Sequence, residues 1–259
     1  PPEHPELTER NRDMAETPNT TTSEPRRVLM VVANPAVAST TGWPVGFWAS
    51  ELVHPWYEFT EAGYEVTIAS PAGGRVEIDA FSDPRDDSRY SAHDILSRGF
   101  LETPELAELL HDTVRLGDVD PADFDAIVVC GGQSPMFTFA DDEDLKRALR
   151  EFYEAEKPTA ALCHGVAALM NVTLSDGGHL IDGRTITGFS NGEEDEANAV
   201  VGQEIMPWRI EDAAAERGAN YIQGGVWKAF AVRDGRLITG QQQYSGRRTA
   251  ELVMEALGA

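Results

Sequence analysis

The feature that most constrains this chain is its alternation of short, uninterrupted apolar runs with segments of helical spacing. The runs are residues 28–33 (VLMVVA), 64–70 (YEVTIAS), 124–130 (FDAIVVC) and 159–162 (TAAL). A strand that is apolar at nearly every position is buried on both faces, as in a parallel sheet. Between the runs, residues 47–62, 105–114 and 142–156 carry helical patterns; Leu145, Leu149 and Phe152 form one stripe of the last. Further on, residues 177–189 (GGHLIDGRTITGF) read as a hairpin and 209–217 as a helix, with strands near Tyr221, over 227–233 and over 237–240. Residues 246–257 close the chain as a helix. The expected fold class is α/β: a mostly parallel central sheet with helices on both faces.

No linker or repeat divides this pattern, so residues 27–259 are expected to form a single α/β domain. Residues 1–26 are polar and rich in Pro, Thr and Glu, and read as a disordered tail. The formal net charge of −23 is poorly suited to nucleic acid or an anionic membrane surface, both of which need Lys and Arg. Two cysteines cannot staple a secreted scaffold, and no apolar run approaches the roughly 20 residues of a membrane span. A soluble, cytoplasmic protein is the expectation.

The two cysteines occupy different settings. Cys163 follows an apolar run and is followed by His164, Gly165 and small residues. That is the pattern of a nucleophile at a sharp strand-to-helix turn, although G-x-S-x-G itself is absent. A cysteine placed there has its thiolate favoured by amides and by the helix dipole, with His164 beside it as acid or base. A lone cysteine is also commonly a buried small hydrophobe, and Cys130, followed by two glycines, reads that way. The turn at Gly131, Gly132, Gln133 and Ser134 can bring backbone N–H groups to a substrate oxygen. Glu51 lies among Trp43, Trp48 and Trp56, where desolvation would raise its pKa; the ordinary alternative is a solvated helix Glu. His54 and Glu58 share a helix face, but a third ligand is not evident, so no metal is expected.

Six stretches fall in an order that resembles the ThiJ/PfpI superfamily, in its glyoxalase III-like, stress-chaperone-related branch. They are residues 42–51, residues 70–74 with Asp79, the turn at Gly131, residues 161–165 (ALCHG), 187–191 (TGFSN) and 234–241 (DGRLITGQ). The resemblance spans about residues 27–257 and implies a flavodoxin-like three-layer sandwich, usually a homodimer. It implies Cys163 as nucleophile, His164 beside it, Glu51 contacting the thiol, and an acid after T-G-F orienting the histidine. Glu194 matches that acid by count, with Glu193 as its nearest competitor. The implied activity is cofactor-free, glutathione-independent conversion of methylglyoxal to lactate. The thiolate would form a hemithioacetal, and Glu51 or His164 would carry protons through an enediol.

Two stretches depart from the branch: Gly131-Gly132-Gln133-Ser134 stands where G-G-H-G is common, and Gln241-Gln242-Gln243-Tyr244-Ser245 where Q-N-P-x-S is usual. With Gly132 and Gln133 at the reacting end and Trp43, Trp48, Met136 and Phe137 around it, the expected substrate is a small electrophile larger and more apolar than methylglyoxal. Two other functions fit the residues: hydration or hydrolysis of a C–N bond, as in isocyanide hydratases and amidases, and a non-enzymatic redox sensor or holdase acting through an oxidised Cys163.

Overall fold

The computed structural model describes residues 24–258. Residues 1–23, most of the expected tail, lie outside it. A seven-stranded sheet runs in the order Ala231–Asp234, Leu237–Gly240, Thr159–Leu162, Ala126–Val129, Arg27–Val31, Glu65–Ser70, Val114–Arg115. Every neighbouring pair is parallel except Ala231–Asp234 against Leu237–Gly240.

Strand alternation feeds two cores. Leu29, Val31, Ile127, Val129 and Ala161 face one side, against Leu145, Leu149 and Phe152 of the helix Glu143–Glu154. Val28, Met30, Val128, Ala160 and Leu162 face the other, against Leu52, Val53 and Phe59 of the helix Ala49–Glu61 and Leu252 and Val253 of Gly246–Leu257. Apolar residues at every strand position are thereby used, and the result is the three-layer, flavodoxin-like sandwich.

Two segments depart from the expectation. Residues 105–114 do not form one helix: a single turn, Pro104–Ala107, passes into a 3-10 turn, Glu108–Leu110, and Val114–Arg115 then joins the sheet edge. Reciprocal backbone hydrogen bonds between Gly74 and Thr113, both 2.9 Å, draw the chain out of the helix toward that edge. The hairpin expected over 177–189 is also absent. Thr185–Ile186 pairs in parallel with Asn220–Tyr221 instead, and the Thr185 N–H donates to Asp234 Oδ2 at 2.7 Å. The helices Ile95–Glu102 and Asn191–Val201 were not expected.

Candidate active site

The carboxyl ends of the parallel strands converge on one edge, where open α/β sheets bind ligands. Thr159–Leu162 lies between Ala126–Val129 and Leu237–Gly240, and the chain leaving it turns sharply at Cys163 into the 3-10 helix Cys163–Leu169. Cys163 has φ +55°, a left-handed conformation that costs a side-chain-bearing residue on the order of 1–3 kcal/mol. Burial of the flanking segment, from Ala160 to Leu169, holds the turn in place.

The next strand ends at the two glycines. A Cβ on Gly131 would stand 2.6 Å from Glu51 Oε2 and 2.8 Å from the His164 nitrogen, so only glycine lets these three segments meet. Gly132 has φ +110°, and a Cβ there would press to 2.4 Å from the Trp48 nitrogen. Trp48 N–H donates to the Gly131 carbonyl at 3.0 Å, which joins the start of the Ala49–Glu61 helix to the turn. Glu51, in the first turn of that helix, is thus brought to the sulfur although it is 112 positions away in sequence.

Glu51 is fully buried. Its Oε2 accepts the Gly131 N–H at 2.8 Å, while Oε1 has no hydrogen-bond partner among the described residues. Burial pushes its pKa to about 8, against the opposing pull of the Cys163 thiol and the Gly131 amide. Burial likewise pushes the Cys163 thiol well above its usual range, and the nearby Glu51 adds to this when ionised; the His164 backbone N–H works in the other direction. While Glu51 keeps its proton, its repulsion of a thiolate disappears.

On the other side, His164 Nδ1 lies 3.9 Å from Cys163 Sγ, and Nε2 lies 2.8 Å from Glu194 Oε1. A carboxylate on Nε2 keeps the proton on that nitrogen and leaves Nδ1 as an acceptor facing the thiol. Glu193 turns elsewhere. It closes a capping box with Ser190 at the start of Asn191–Val201 and accepts from the Trp227 N–H at 3.0 Å and Gln241 Nε2 at 2.8 Å.

Asp79 is a second buried acid. Its Oδ1 accepts from Gly46 N–H at 2.9 Å and its Oδ2 from Gln133 N–H at 2.7 Å, tying two pocket loops together. Burial pushes its pKa to about 7. Both acids hold protons in the folded state that they release on unfolding, Glu51 between its usual 4.5 and about 8, and Asp79 between 3.8 and about 7. Their contribution to stability is therefore full at low pH and lost as pH rises through those windows. Urea unfolding between pH 5 and 8 should show stability declining with pH. In Glu51→Gln the slope should be shallower by up to about 1.4 kcal/mol per pH unit; equal slopes would place the Glu51 proton elsewhere.

A cavity of about 270 Å³ opens above the sulfur. Of the residues singled out in the sequence, Trp43, Trp48, Gly132, Gln133, Cys163, His164 and Glu194 line it. Met136 and Phe137 do not. They lie in the short helix Pro135–Thr138, where Met136 is buried in the core and Phe137 packs against that core. Pro135 starts a helix immediately after the turn, and this sets both side chains against the core rather than in the cavity. Sequence reasoning missed Phe189, Val200, Ile205, Met206 and Trp227 as pocket walls. The Ser190-x-x-Glu193 capping signature is the local signal that could have found the helix that carries Val200. His54 pairs with Asp94 at 2.8 Å and Glu58 with Arg247 at 3.3 Å, so the two do not act together. Among the described residues no helix is long and apolar enough to cross a membrane.

The family described as DJ-1/PfpI matches residues 44–256. Glyoxalase 3 of Candida albicans is 30% identical over 223 residues, 83% of this chain and 91% of that protein. The glutathione-independent glyoxalase HSP31 of Saccharomyces cerevisiae is 27% identical, covering 90% of this chain and 98% of its own. Among solved structures, the rapid encystment protein REP24 of Francisella tularensis superposes with a TM-score of 0.81 at 30% identity, over 90% of this chain and 99% of that one.

Proposed function

The chain belongs to the DJ-1/PfpI family, and from that premise we propose that it is a glutathione-independent glyoxalase, converting a 2-oxoaldehyde and water to a 2-hydroxy acid. The observation that carries the reading is the thiol of Cys163 at the base of a cavity, with the buried Glu51 carboxyl on one side and the His164–Glu194 pair on the other.

In this mechanism the substrate aldehyde carbon settles against Sγ, and His164 Nδ1 takes the thiol proton as sulfur attacks. The backbone N–H groups of Gly132 and His164 receive the developing oxyanion, which becomes the hydroxyl of a hemithioacetal. Glu51, with a pKa close to neutrality, removes the proton from the former aldehyde carbon to give an enediol and returns a proton to the adjacent carbon. The product of that transfer is a thioester, which water cleaves to release the 2-hydroxy acid and the thiol. No redox cofactor enters, because one carbon is oxidised as its neighbour is reduced. The same reading has the protein working as a cytoplasmic homodimer without a nucleic-acid partner.

The test is lactate formation from methylglyoxal in D2O without glutathione. An enediol route places deuterium at C2 of the lactate, whereas direct hydride migration retains protium. Because Glu51 acts as a base after sulfur addition, kcat should rise as pH approaches about 8. Unlabelled lactate, or a kcat independent of pH from 6 to 8, would overturn these roles.

A further inference from the structure

The cavity walls carry more chemistry than a three-carbon substrate uses. Next to the thiol, the His164 and Phe189 rings lie 4.2 Å apart, and Phe189 meets Trp227 edge-on at 5.7 Å. Aromatic surface therefore runs outward from the reacting sulfur. Trp43, Ile205 and Met206 also line the cavity, and Val200 is 86% exposed, an apolar side chain with nothing over it among the described residues.

These walls are held in place. Thr40 Oγ1 donates to the Ile205 carbonyl, and the Ile205 N–H donates to Asn198 Oδ1 at 2.9 Å, joining the Trp43 loop to the Asn191–Val201 helix. Trp227 is fixed at both ends, its N–H to Glu193 and its indole N–H to Glu196. The pocket is thus preformed, and an apolar group entering it does not bear the cost of ordering these segments. Among the described residues no Lys or Arg lines the cavity, and the carboxylates that do are Glu194 and Glu196. A carboxylate or phosphate on the substrate would meet repulsion without a compensating cation.

We propose that this enzyme selects 2-oxoaldehydes bearing a bulky, uncharged apolar substituent, aryl or branched alkyl, which lies along Phe189 and Trp227 and covers Val200. The proposal rests on the glyoxalase reading and specifies the substrate class. With phenylglyoxal the balance is the same: water is added, C1 is oxidised to the carboxylate level, and C2 is reduced to the carbinol of mandelate.

Initial rates of mandelate formation from phenylglyoxal and lactate formation from methylglyoxal are compared on one preparation, and product detection excludes adducts on arginine. The expected kcat/KM for phenylglyoxal is at least about tenfold higher, the lower end of what extra apolar contact gives in a pocket. Val200→Asp, at an exposed position where folding is not at risk, should cut that ratio at least about fivefold. Tryptophan fluorescence of Cys163→Ser should titrate with phenylglyoxal at concentrations where methylglyoxal has no effect. Turnover of methylglyoxal equal to or above that of phenylglyoxal would overturn the proposal and leave the glyoxalase reading standing. Saturable phenylglyoxal binding without turnover of either compound would overturn the glyoxalase reading, and the substrate assignment with it.

Discussion

Replacing Glu194 by Gln should lower kcat by about a thousandfold to ten-thousandfold while leaving the fold intact. The two side chains have the same shape, so the 2.8 Å contact to His164 Nε2 can persist. Its polarity need not. A carboxylate only accepts and forces the proton onto Nε2, whereas the amide nitrogen of Gln can donate to an unprotonated Nε2. That moves the ring proton to Nδ1, the nitrogen 3.9 Å from Cys163 Sγ, and the thiol loses its acceptor. Glu193→Gln makes the control, because Glu193 meets Ser190, Trp227 and Gln241 rather than the histidine. That variant should lose stability without a comparable fall in kcat at a temperature where it remains folded. Chemical denaturation with single-turnover kinetics separates the two, and equal kcat losses would sink the orienting role of Glu194.

Cys163→Ser should remove turnover by a factor of at least about a thousand. A serine hydroxyl is far less acidic than a thiol and a far weaker nucleophile at its ordinary pKa, so proton transfer to His164 Nδ1 is much harder from Ser than from Cys. Cys130→Ala should stay within about twofold of the parent rate, since Cys130 is buried in the core with its thiol pushed well above the usual range. The two variants, assayed for lactate or mandelate, locate the chemistry on one sulfur. Residual activity in Cys163→Ser within tenfold of the parent would point to water activation by Glu51 and His164 without a covalent intermediate.

Much of this arrangement is legible in the chain. The strand Thr159–Leu162, the strand Leu237–Gly240 and the helix Gly246–Leu257 occur where periodicity places them. The reason is that strand burial and helical amphipathicity are local patterns. The turn after Leu162 is local as well: an apolar strand, a cysteine and a run of small residues. Failures came where a distant partner outweighed local preference. Thr113 and Val114 left a helical pattern because Gly74 and Ala69 offered a sheet edge. Thr185 and Ile186 found Asn220 and Tyr221 rather than their own hairpin.

The acid beside His164 illustrates the same division. Glu193 and Glu194 are adjacent, and on a helix adjacent side chains point about 100° apart. Sequence narrows the choice to these two, but the orientation of Asn191–Val201 on the domain turns Glu194 to the histidine and Glu193 to Trp227. Met136, beside the glycine turn in sequence, enters the core and Phe137 packs against it, while Val200 and Met206, outside the motifs themselves, line the cavity. The chain by itself determined the sheet, the strained cysteine turn and the residue types that meet there, because each is written in contiguous residues. The complete burial of Glu51, the partner of His164 and the shape of the cavity wall were decided only by tertiary structure, because each depends on what segments far apart in the chain exclude or bring into contact.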